Sequence, residues 1–291
     1  MGDGFDIREP AHLDSALIFS SPHSGRCYPI EFINASRLSL PELRRSEDCF
    51  VDALFAGALD CGAPLLRAQF PRAYLDVNRE PHELDPRMFV GQLPPFANTR
   101  SLRVAGGLGT IARVVGDGQE IYAHRIPVAE GLMRVVRYYK PYHDALKQLL
   151  ARAHAKFGFA LLIDCHSMPS GPSLSTLPEE PMRADFVIGD RYGASCDESL
   201  TQTLDYELRQ LGYKVLRNKP YAGGFITEHY GCPHARTHAV QIEINRELYM
   251  DQRSFEKTVG FDALRHDLST IAARMHEFAH DRFSPRRRAA E

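Results

Sequence analysis

The sequence lacks the long apolar segments and export signals that mark membrane and secreted proteins. Nowhere do 18 consecutive apolar residues occur, and the first ten residues, MGDGFDIREP, contain neither the basic nor the apolar region of a signal peptide. Before the short tail SPRRRAAE there is no long basic stripe, and the formal net charge of the 291 residues is -2. This balance disfavours nucleic acid and anionic membranes as partners. We therefore expect a cytoplasmic protein that acts on a small molecule or a peptide.

Cysteines are few, and none of them form a CxxC pair. The six cysteines are scattered along the chain, so free thiols are expected rather than disulfides or a cysteine metal site. Cys165 directly precedes a histidine and is a candidate nucleophile, but the apolar run before it favours a buried strand cysteine.

Short apolar runs alternate with amphipathic segments along the whole chain. The runs have strand length and lie at residues 16–23, 63–70, 160–166, 184–190 and 239–245. Helical patterns occupy roughly residues 47–61, 129–156, 195–211 and 256–280, with Gly158 as the predicted C-cap and Pro141 as a kink or boundary. This alternation predicts an α/β fold in which helices cover both faces of a parallel or mixed sheet.

We interpret residues 1–291 as a single domain, because α/β enzymes of this length commonly have one. Residues 79–126 contain more irregular sequence than a compact domain usually tolerates, so we expect a loop-rich insertion that lines the substrate site. Residues 284–291 are interpreted as a flexible tail.

Polar side chains follow or interrupt three of the predicted strands. His23 and His166 each end an apolar run, where open α/β sheets place their ligand crevice. Glu243 lies within the run AVQIEIN, and a carboxylate buried there needs a charged partner or a metal. Two histidines and a glutamate converging at strand ends indicate zinc and an activated water, although a loop histidine or a salt bridge to arginine would explain each residue singly.

The segment FPRAYLDVNRE has a strand-like pattern with polar residues on one face. In AYLDVN, Asp76 and Asn78 alternate with Leu75 and Val77, and arginines flank the segment at positions 72 and 79. Such a cluster suits an anion, since the guanidinium fork matches a carboxylate and a fixed cation stabilises an oxyanion. The alternative is that these arginines only bridge surface carboxylates.

Six motifs, taken in order, resemble the N-formylglutamate amidohydrolase family, a distant relative of the zinc carboxypeptidases and aspartoacylases. The motifs are SSPHSG, PRAYLDVNRE, GGLGTIARV, DCHSMPS, GGFITEHYG and AVQIEINRELYMD, and the similarity spans about residues 15–250. The resemblance implies a three-layer α/β sandwich with a central mixed sheet, of the phosphorylase/hydrolase-like, zinc-carboxypeptidase-like class. It also implies one Zn²⁺ per chain and cleavage of an amide carried by an acidic amino acid.

The resemblance also implies roles for the residues of the metal site. His23 resembles the first zinc ligand and His166 the third, while Glu243 takes the place of the catalytic glutamate. Asp76 would orient His23 from behind, a common arrangement at metal-bound imidazoles.

On the substrate side, Asn78 and Arg79 resemble the residues that hold the substrate carboxylate. Arg72 stands where related enzymes keep the arginine that stabilises the oxyanion. Arg113 and Arg125, from the long insertion, are additional substrate-binding candidates, with a solvated charge as the alternative for Arg113.

The sequence departs from the carboxypeptidase pattern at the second zinc ligand. The expected glutamate three residues after His23 is absent, because Arg26 stands there. The candidates that remain are Glu47, Asp48 and Asp52, of which we choose Asp48 as a carboxylate in the first turn of a helix, near its electropositive end. Simple charge decoration of a helix start is the alternative.

The predicted function is therefore zinc-dependent hydrolysis of an N-acylated acidic amino acid, with N-formyl-L-glutamate as the first candidate. A deacylase or carboxypeptidase-like hydrolase acting on another acyl amino acid or on peptides would use the same residues. A metal-free module that binds acidic amino acids would have no need of His23, His166 and Glu243. The sequence leaves the oligomeric state open.

Overall fold

A computed structural model describes residues 4–116, 118–170 and 184–284 of the chain. Its strands are β1 Phe5–Arg8, β2 Leu17–Ser21, β3 Leu65–Ala68, β4 Phe89–Val90, β5 Val114–Val115, β6 Gln119–Glu120, β7 Ile126–Pro127, β8 Ala160–Met168, β9 Phe186–Gly189, β10 Val215–Arg217, β11 Thr237–Asn245, β12 Met250–Asp251 and β13 Glu256–Lys257. Its α-helices are α1 Ile30–Ala35, α2 Leu40–Arg44, α3 Val51–Leu54, α4 Leu102–Ala105, α5 Val128–Arg134, α6 Lys140–Phe157, α7 Glu198–Gln210, α8 Phe225–Tyr230 and α9 Gly260–Phe283.

Seven strands form the main sheet, in the order β1-β3-β2-β8-β11-β9-β10. The pairs β2/β8, β8/β11 and β9/β10 are parallel, whereas β9 and β11 are antiparallel. The prediction of an α/β fold with a central mixed sheet is confirmed, and the five strands predicted from apolar runs are present. The edge strands β1 and β10 were not predicted, because they have only four and three residues and no continuous apolar run.

By contacts, the chain divides into two compact units. The first comprises Met1–Asp6, Pro22–Cys49 and Arg67–Lys147, and the second comprises Ile7–Ser21, Phe50–Leu66 and Gln148–Glu291. Whether the chain works as the single domain expected from its length stays a prediction.

The first unit is built around a buried arginine among aromatic rings. Arg134 Cζ lies 4.1 Å from the ring centroid of Tyr74, and its Nη1 donates to the Tyr122 hydroxyl at 2.6 Å. Phe32 packs edge-on against both tyrosines. Arg134 also forms an ion pair with Glu130, so its buried charge is compensated, and we assign Arg134 to the core of this unit.

In the second unit, helices cover the central strands. Helix α8 lies against β8 and β11, and α9 packs against α7, α3 and the 3₁₀ helix Phe55–Cys61. All nine residues of β8 are buried, as are all residues of β11 except its first. Burial on both faces explains why these strands read as apolar runs in the sequence.

Several predicted elements differ in the structure. The helical pattern 129–156 is divided into α5, a π-helical turn at Val135–Tyr139 and α6. Pro141 has no N–H to donate and its ring crowds the preceding turn, so the turn before it widens while the helix continues. Gly158 ends α6 with a φ of 75°, as predicted.

The strand predicted in AYLDVN is wrong. Residues 71–80 form turns, because the backbone N–H groups of Tyr74 and Leu75 both donate to the carbonyl of Pro71. The insertion 79–126 contains short elements, namely β4, α4, β5 and β6 with a 3₁₀ turn at Pro86–Met88. Helix α9 ends at Phe283, and residues 285–291 of the predicted tail lie outside the described residues.

Candidate active site

The first group of functional side chains surrounds His23 and is called here the His23 cluster: His23, Asp48, Arg72, Asp76 and Arg79. His23 lies in a turn two residues beyond the end of β2 and is 1% exposed. Its Nε2 is hydrogen-bonded to Asp76 Oδ1 at 2.7 Å, and its Nδ1 lies 3.4 Å from Asp48 Oδ2. The imidazole is therefore held between two carboxylates.

Asp76 is the centre of this network. Besides His23, it accepts hydrogen bonds from the Asn78 backbone N–H at 2.8 Å and from Arg72 Nε at 2.9 Å, and Arg79 Nη2 lies 3.6 Å away. Burial would raise the pKa of Asp76, but Arg79, His23 and Arg72 hold that pKa well below its usual range. Asp76 is thus ionised at neutral pH and is hydrogen-bonded to Nε2 of the histidine.

Asp48 lies outside the helix to which the sequence assigned it. Helix α3 begins only at Val51, and its N-cap residue Phe50 has a left-handed φ of 64°, so Asp48 precedes the first turn. The Asp48 backbone N–H instead donates to the His23 carbonyl at 3.0 Å. A backbone contact with the His23 segment, rather than a helix end, positions this carboxylate.

The other two candidates for the missing ligand differ from Asp48. Glu47 accepts hydrogen bonds from Tyr28 Oη at 2.7 Å, from Arg44 Nε at 3.1 and 3.3 Å, and from Cys49 Sγ at 3.0 Å. Burial, followed by the neighbouring Glu47, raises the pKa of Tyr28, so its hydroxyl remains a proton donor. Asp52 is buried within α3.

The second group lies on adjacent strands and is called the His166 cluster: Asp164, His166, Gln241 and Glu243. In the parallel register of β8 and β11, Glu243 is paired with His166 and Gln241 with Asp164. Residues paired across parallel strands share a face, as do residues two apart along one strand. The sheet therefore presents all four side chains on one face.

Hydrogen bonds order this second group. His166 Nε2 lies 2.9 Å from Asp164 Oδ2, Gln241 Nε2 donates to Glu243 Oε1 at 2.8 Å, and the Gly224 N–H donates to Gln241 Oε1 at 2.7 Å. Asp164 and Gln241 were not assigned roles from the sequence. An aspartate two residues before a histidine in a strand shares its face, and this spacing is the signal that could have identified Asp164.

Comparison with known proteins identifies the family. A family model described as N-formylglutamate amidohydrolase matches residues 15–250. The chain belongs to the N-formylglutamate amidohydrolase family. It is 32% identical over 245 residues to N-formylglutamate deformylase of Pseudomonas aeruginosa, covering 82% of this chain and 83% of that protein. The corresponding Pseudomonas putida protein is 31% identical over 245 residues, with 81% and 82% covered.

A solved structure agrees with this assignment. The crystal structure of N-formylglutamate amidohydrolase from Ralstonia eutropha JMP134 superimposes with a TM-score of 0.90 and 36% sequence identity, and the match covers 96% of this chain and 99% of that one. The family resemblance inferred from the motifs is confirmed, and the chain is an amidohydrolase by family.

The arginines predicted to bind substrate occupy different environments in this amidohydrolase. Arg79 donates through Nε to the Leu108 carbonyl and through Nη1 to the Asn78 carbonyl, both at 2.8 Å. Burial lowers the pKa of Arg79 to about 10, so the group still carries its charge at neutral pH. Asn78 itself is buried.

For the two arginines from the insertion, the surroundings give no direct support for substrate binding. Arg113 donates to Asp85 at 2.8 Å and to Glu120 at 3.1 Å, which is sufficient reason for its presence as a structural cation. Arg125 is exposed just before β7. Substrate binding by either one stays a prediction.

The remaining predictions concern cysteine chemistry and membranes. Cys165 is fully buried in β8, and burial raises its pKa well above the ordinary value, which makes it a poor nucleophile as expected. Among the described helices, none combines the length and the apolar character needed to cross a membrane.

Proposed function

We propose that this protein is a zinc-dependent hydrolase of N-acylated acidic amino acids, with N-formyl-L-glutamate as its first substrate. Relatives that match it over more than four-fifths of their length are named N-formylglutamate deformylases. The reaction is hydrolysis of the formyl amide: the oxygen of water adds to the formyl carbon, the C–N bond breaks, and formate and glutamate leave.

The observation that carries the metal is a group of three buried side chains, His23, Asp48 and His166. Each offers one ligand atom, and these atoms all lie within 4.8 Å of one another. Two imidazoles and one carboxylate form a donor set typical of catalytic zinc, which keeps a fourth position for water or substrate. Tetrahedral ligands at zinc bond lengths are roughly 3.3 Å apart, and the 3.4 Å between His23 Nδ1 and Asp48 Oδ2 fits that spacing.

The residues behind the ligands also fit a metal. Asp76 lies at Nε2 of His23 and Asp164 at Nε2 of His166, so in each case Nδ1 is the nitrogen proposed to bind. A carboxylate at the other ring nitrogen fixes the tautomer of a metal-bound imidazole. When bound, the zinc ion would polarise the substrate carbonyl and make water a stronger nucleophile at neutral pH.

The roles proposed for the chain's own residues are those that the family resemblance implies. Glu243 takes a proton from the attacking water and passes it to the leaving amine, while Gln241 orients its carboxylate. Arg72 stabilises negative charge developing on the attacked carbonyl oxygen. Asn78 and Arg79 hold the substrate carboxylate, and Arg113 and Arg125 are proposed as further substrate contacts.

The test combines metal analysis with a substrate screen. We expect about one zinc ion per chain in the wild type, little in His166→Ala, and unchanged content in His266→Ala, which changes an exposed histidine on α9. Formate release from N-formyl-L-glutamate should stop after chelation and return with zinc.

Other outcomes would redirect the proposal. Faster cleavage of N-acetyl or peptide derivatives would indicate a deacylase or a carboxypeptidase-like enzyme. Binding of N-formylglutamate without turnover would indicate a non-catalytic binding module. Full activity in metal-free protein would contradict the zinc dependence.

A further inference from the structure

Two consecutive carboxylates, Glu47 and Asp48, lie in contrasting environments. A carboxylate offers about four lone-pair positions to hydrogen-bond donors. In Glu47 these positions are used: Oε1 accepts from Tyr28 and Arg44, and Oε2 accepts from Arg44 and Cys49. Asp48 instead faces Nδ1 of His23 at 3.4 Å. Glu47 is therefore saturated within the protein and is not suited to ligate a metal.

The bonds of Glu47 join two chain segments that carry proposed metal ligands. Tyr28 follows His23 by five residues, and Glu47 directly precedes Asp48. The side-chain bond between Tyr28 and Glu47 spans these segments at 2.7 Å. A second bond, from the Asp48 N–H to the His23 carbonyl, spans them at 3.0 Å. The two bonds together join the segment that carries His23 to the segment that carries Asp48.

Tyr28 is itself held in place by the core of the first unit. Its ring stacks on Phe32, with the ring planes 12° apart, and Phe32 is 1% exposed. Phe32 in turn packs against Tyr74 and Tyr122. The hydroxyl that binds Glu47 thus projects from a ring with little freedom to move.

We infer that Tyr28 and Glu47 form a positioning pair that holds Asp48 at ligand distance from His23 and thereby sets the metal affinity of the site. The inference rests on the proposed function, because it assigns the pair a role in building the zinc site. Neither residue is a ligand or touches substrate. Their effect is exerted through the backbone of the segment that carries Asp48.

The test uses Tyr28→Phe, which keeps the stacked ring and removes only the hydroxyl. Loss of a group that hydrogen-bonds a metal ligand typically weakens metal binding by about 10- to 100-fold, and Tyr28 acts one residue farther from the ligand, so its effect should fall at the low end of that range. We expect a zinc dissociation constant, measured by competition with a chromophoric chelator, that is raised about 10-fold. The visible absorption of the cobalt(II)-loaded protein should also shift, since that spectrum reports ligand geometry.

Tyr213→Phe is the matched control. Tyr213 also donates to a half-buried carboxylate, Asp267 Oδ2 at 2.6 Å, but it lies on neither segment. The control should lose thermal stability comparably in the metal-free protein while its zinc affinity and cobalt spectrum stay those of the wild type. A role of Tyr28 that is only structural would make the two variants alike.

A double variant tests whether Tyr28 acts through Glu47. Glu47→Gln should weaken zinc binding on its own, and adding Tyr28→Phe to it should weaken binding little further. Wild-type zinc affinity and an unchanged cobalt spectrum in Tyr28→Phe would overturn the inference, as would fully additive effects in the double variant. Absence of zinc binding by the wild-type protein would instead contradict the proposed function, so the two failures are distinguishable.

Discussion

The His23 cluster and the His166 cluster place a histidine against an aspartate by different structural means. His23 and Asp76 are 53 residues apart, in turns, and meet at 2.7 Å. His166 and Asp164 are two residues apart on one strand and meet at 2.9 Å. In the first case two arginines and a backbone N–H surround the aspartate, whereas in the second the alternation of a buried strand puts the two side chains on one face.

The difference indicates how substitutions in each cluster should affect folding and chemistry. Side chains that are held by a network of charged groups depend on every member, because a buried charge left without its partner is costly. Side chains that are held by strand register depend on the backbone, which a single polar substitution leaves in place. We therefore expect substitutions in the His166 cluster to affect chemistry more than folding, and those in the His23 cluster to affect both.

The largest effect on activity is expected at Glu243, in the His166 cluster. Glu243→Gln keeps the shape and the bond partner Gln241 but removes the proton acceptor. Loss of a general base typically lowers kcat by about 10² to 10⁴, and zinc content and thermal stability should stay near those of the wild type. Steady-state kinetics together with metal analysis measures both quantities. The control is Glu198→Gln, an exposed glutamate on α7. Near wild-type kcat would remove Glu243 from the reaction, and loss of metal would reassign it as a ligand.

The two aspartates allow a direct comparison of the clusters. Asp76→Asn and Asp164→Asn should each weaken zinc affinity by about 10- to 100-fold, because each removes the carboxylate behind a proposed metal-binding histidine. Asp76→Asn should also lower the free energy of unfolding of the metal-free protein, by about 1.5 to 3 kcal/mol and by more than Asp164→Asn does, since it weakens the charge-assisted bond from Arg72 and the ion pair with Arg79. Urea unfolding separates the cases. Equal losses of stability in the two variants would show that the contrast between the clusters is wrong.

A substitution of Arg79 tests the substrate-binding role proposed for the His23 cluster. A lysine supplies the charge but not the planar fork, so Arg79→Lys should lower kcat/KM for N-formylglutamate by about 10- to 100-fold, the loss of one charge-assisted bond or more. A substrate amidated at the carboxylate next to the amide should be poor for both proteins. Arg209→Lys, on α7, is the control. If the wild type cleaves the amidated compound as well as the free acid, Arg79 does not bind the substrate carboxylate and the proposed role is wrong.

The smallest effect is expected at Asp190, which follows β9 and belongs to neither cluster. Burial would raise its pKa, but hydrogen bonds from Asn218, Arg217 and Gly193 hold that pKa below the ordinary value. As the pH falls, the carboxylate of Asp190 takes up its proton near pH 4 in the unfolded chain, but only at a lower pH in the folded protein. Its stabilisation is therefore complete above about pH 5 and is lost as the pH falls through the lowered folded pKa.

Asp190→Asn should accordingly lower stability at neutral pH and show a shallower loss between about pH 5 and the acid limit than the wild type. Thermal unfolding across this pH range measures the slope. Asp262→Asn, an exposed residue on α9, should leave the wild-type curve unchanged. Parallel curves for Asp190→Asn and the wild type would contradict the assigned pKa shift.

Much of the fold was predictable because its signals are local. Strand β8 opens with the apolar run ALLI, and in β11 the apolar residues Val240, Ile242 and Ile244 alternate with polar ones, so each strand has a pattern that is local in the sequence. The same runs identified His166 and Glu243, since strand alternation fixes which side chains share a face. Short edge strands carry no such pattern, and β1 and β10 were accordingly missed.

The family resemblance implied that Asp76 orients His23, but the way the chain brings these residues together was decided only by tertiary structure. Asp76 was found in the sequence as a polar residue of a supposed strand, yet the segment forms turns whose hydrogen bonds run to Pro71 and Thr110. Asp48 was chosen for a helix end that it does not occupy. By itself the sequence determined the residue types and the buried strands, because alternation acts over a few residues. The pairing of His23 with Asp48 and Asp76 depends on contacts between segments 25 and 53 residues apart, which no local pattern encodes.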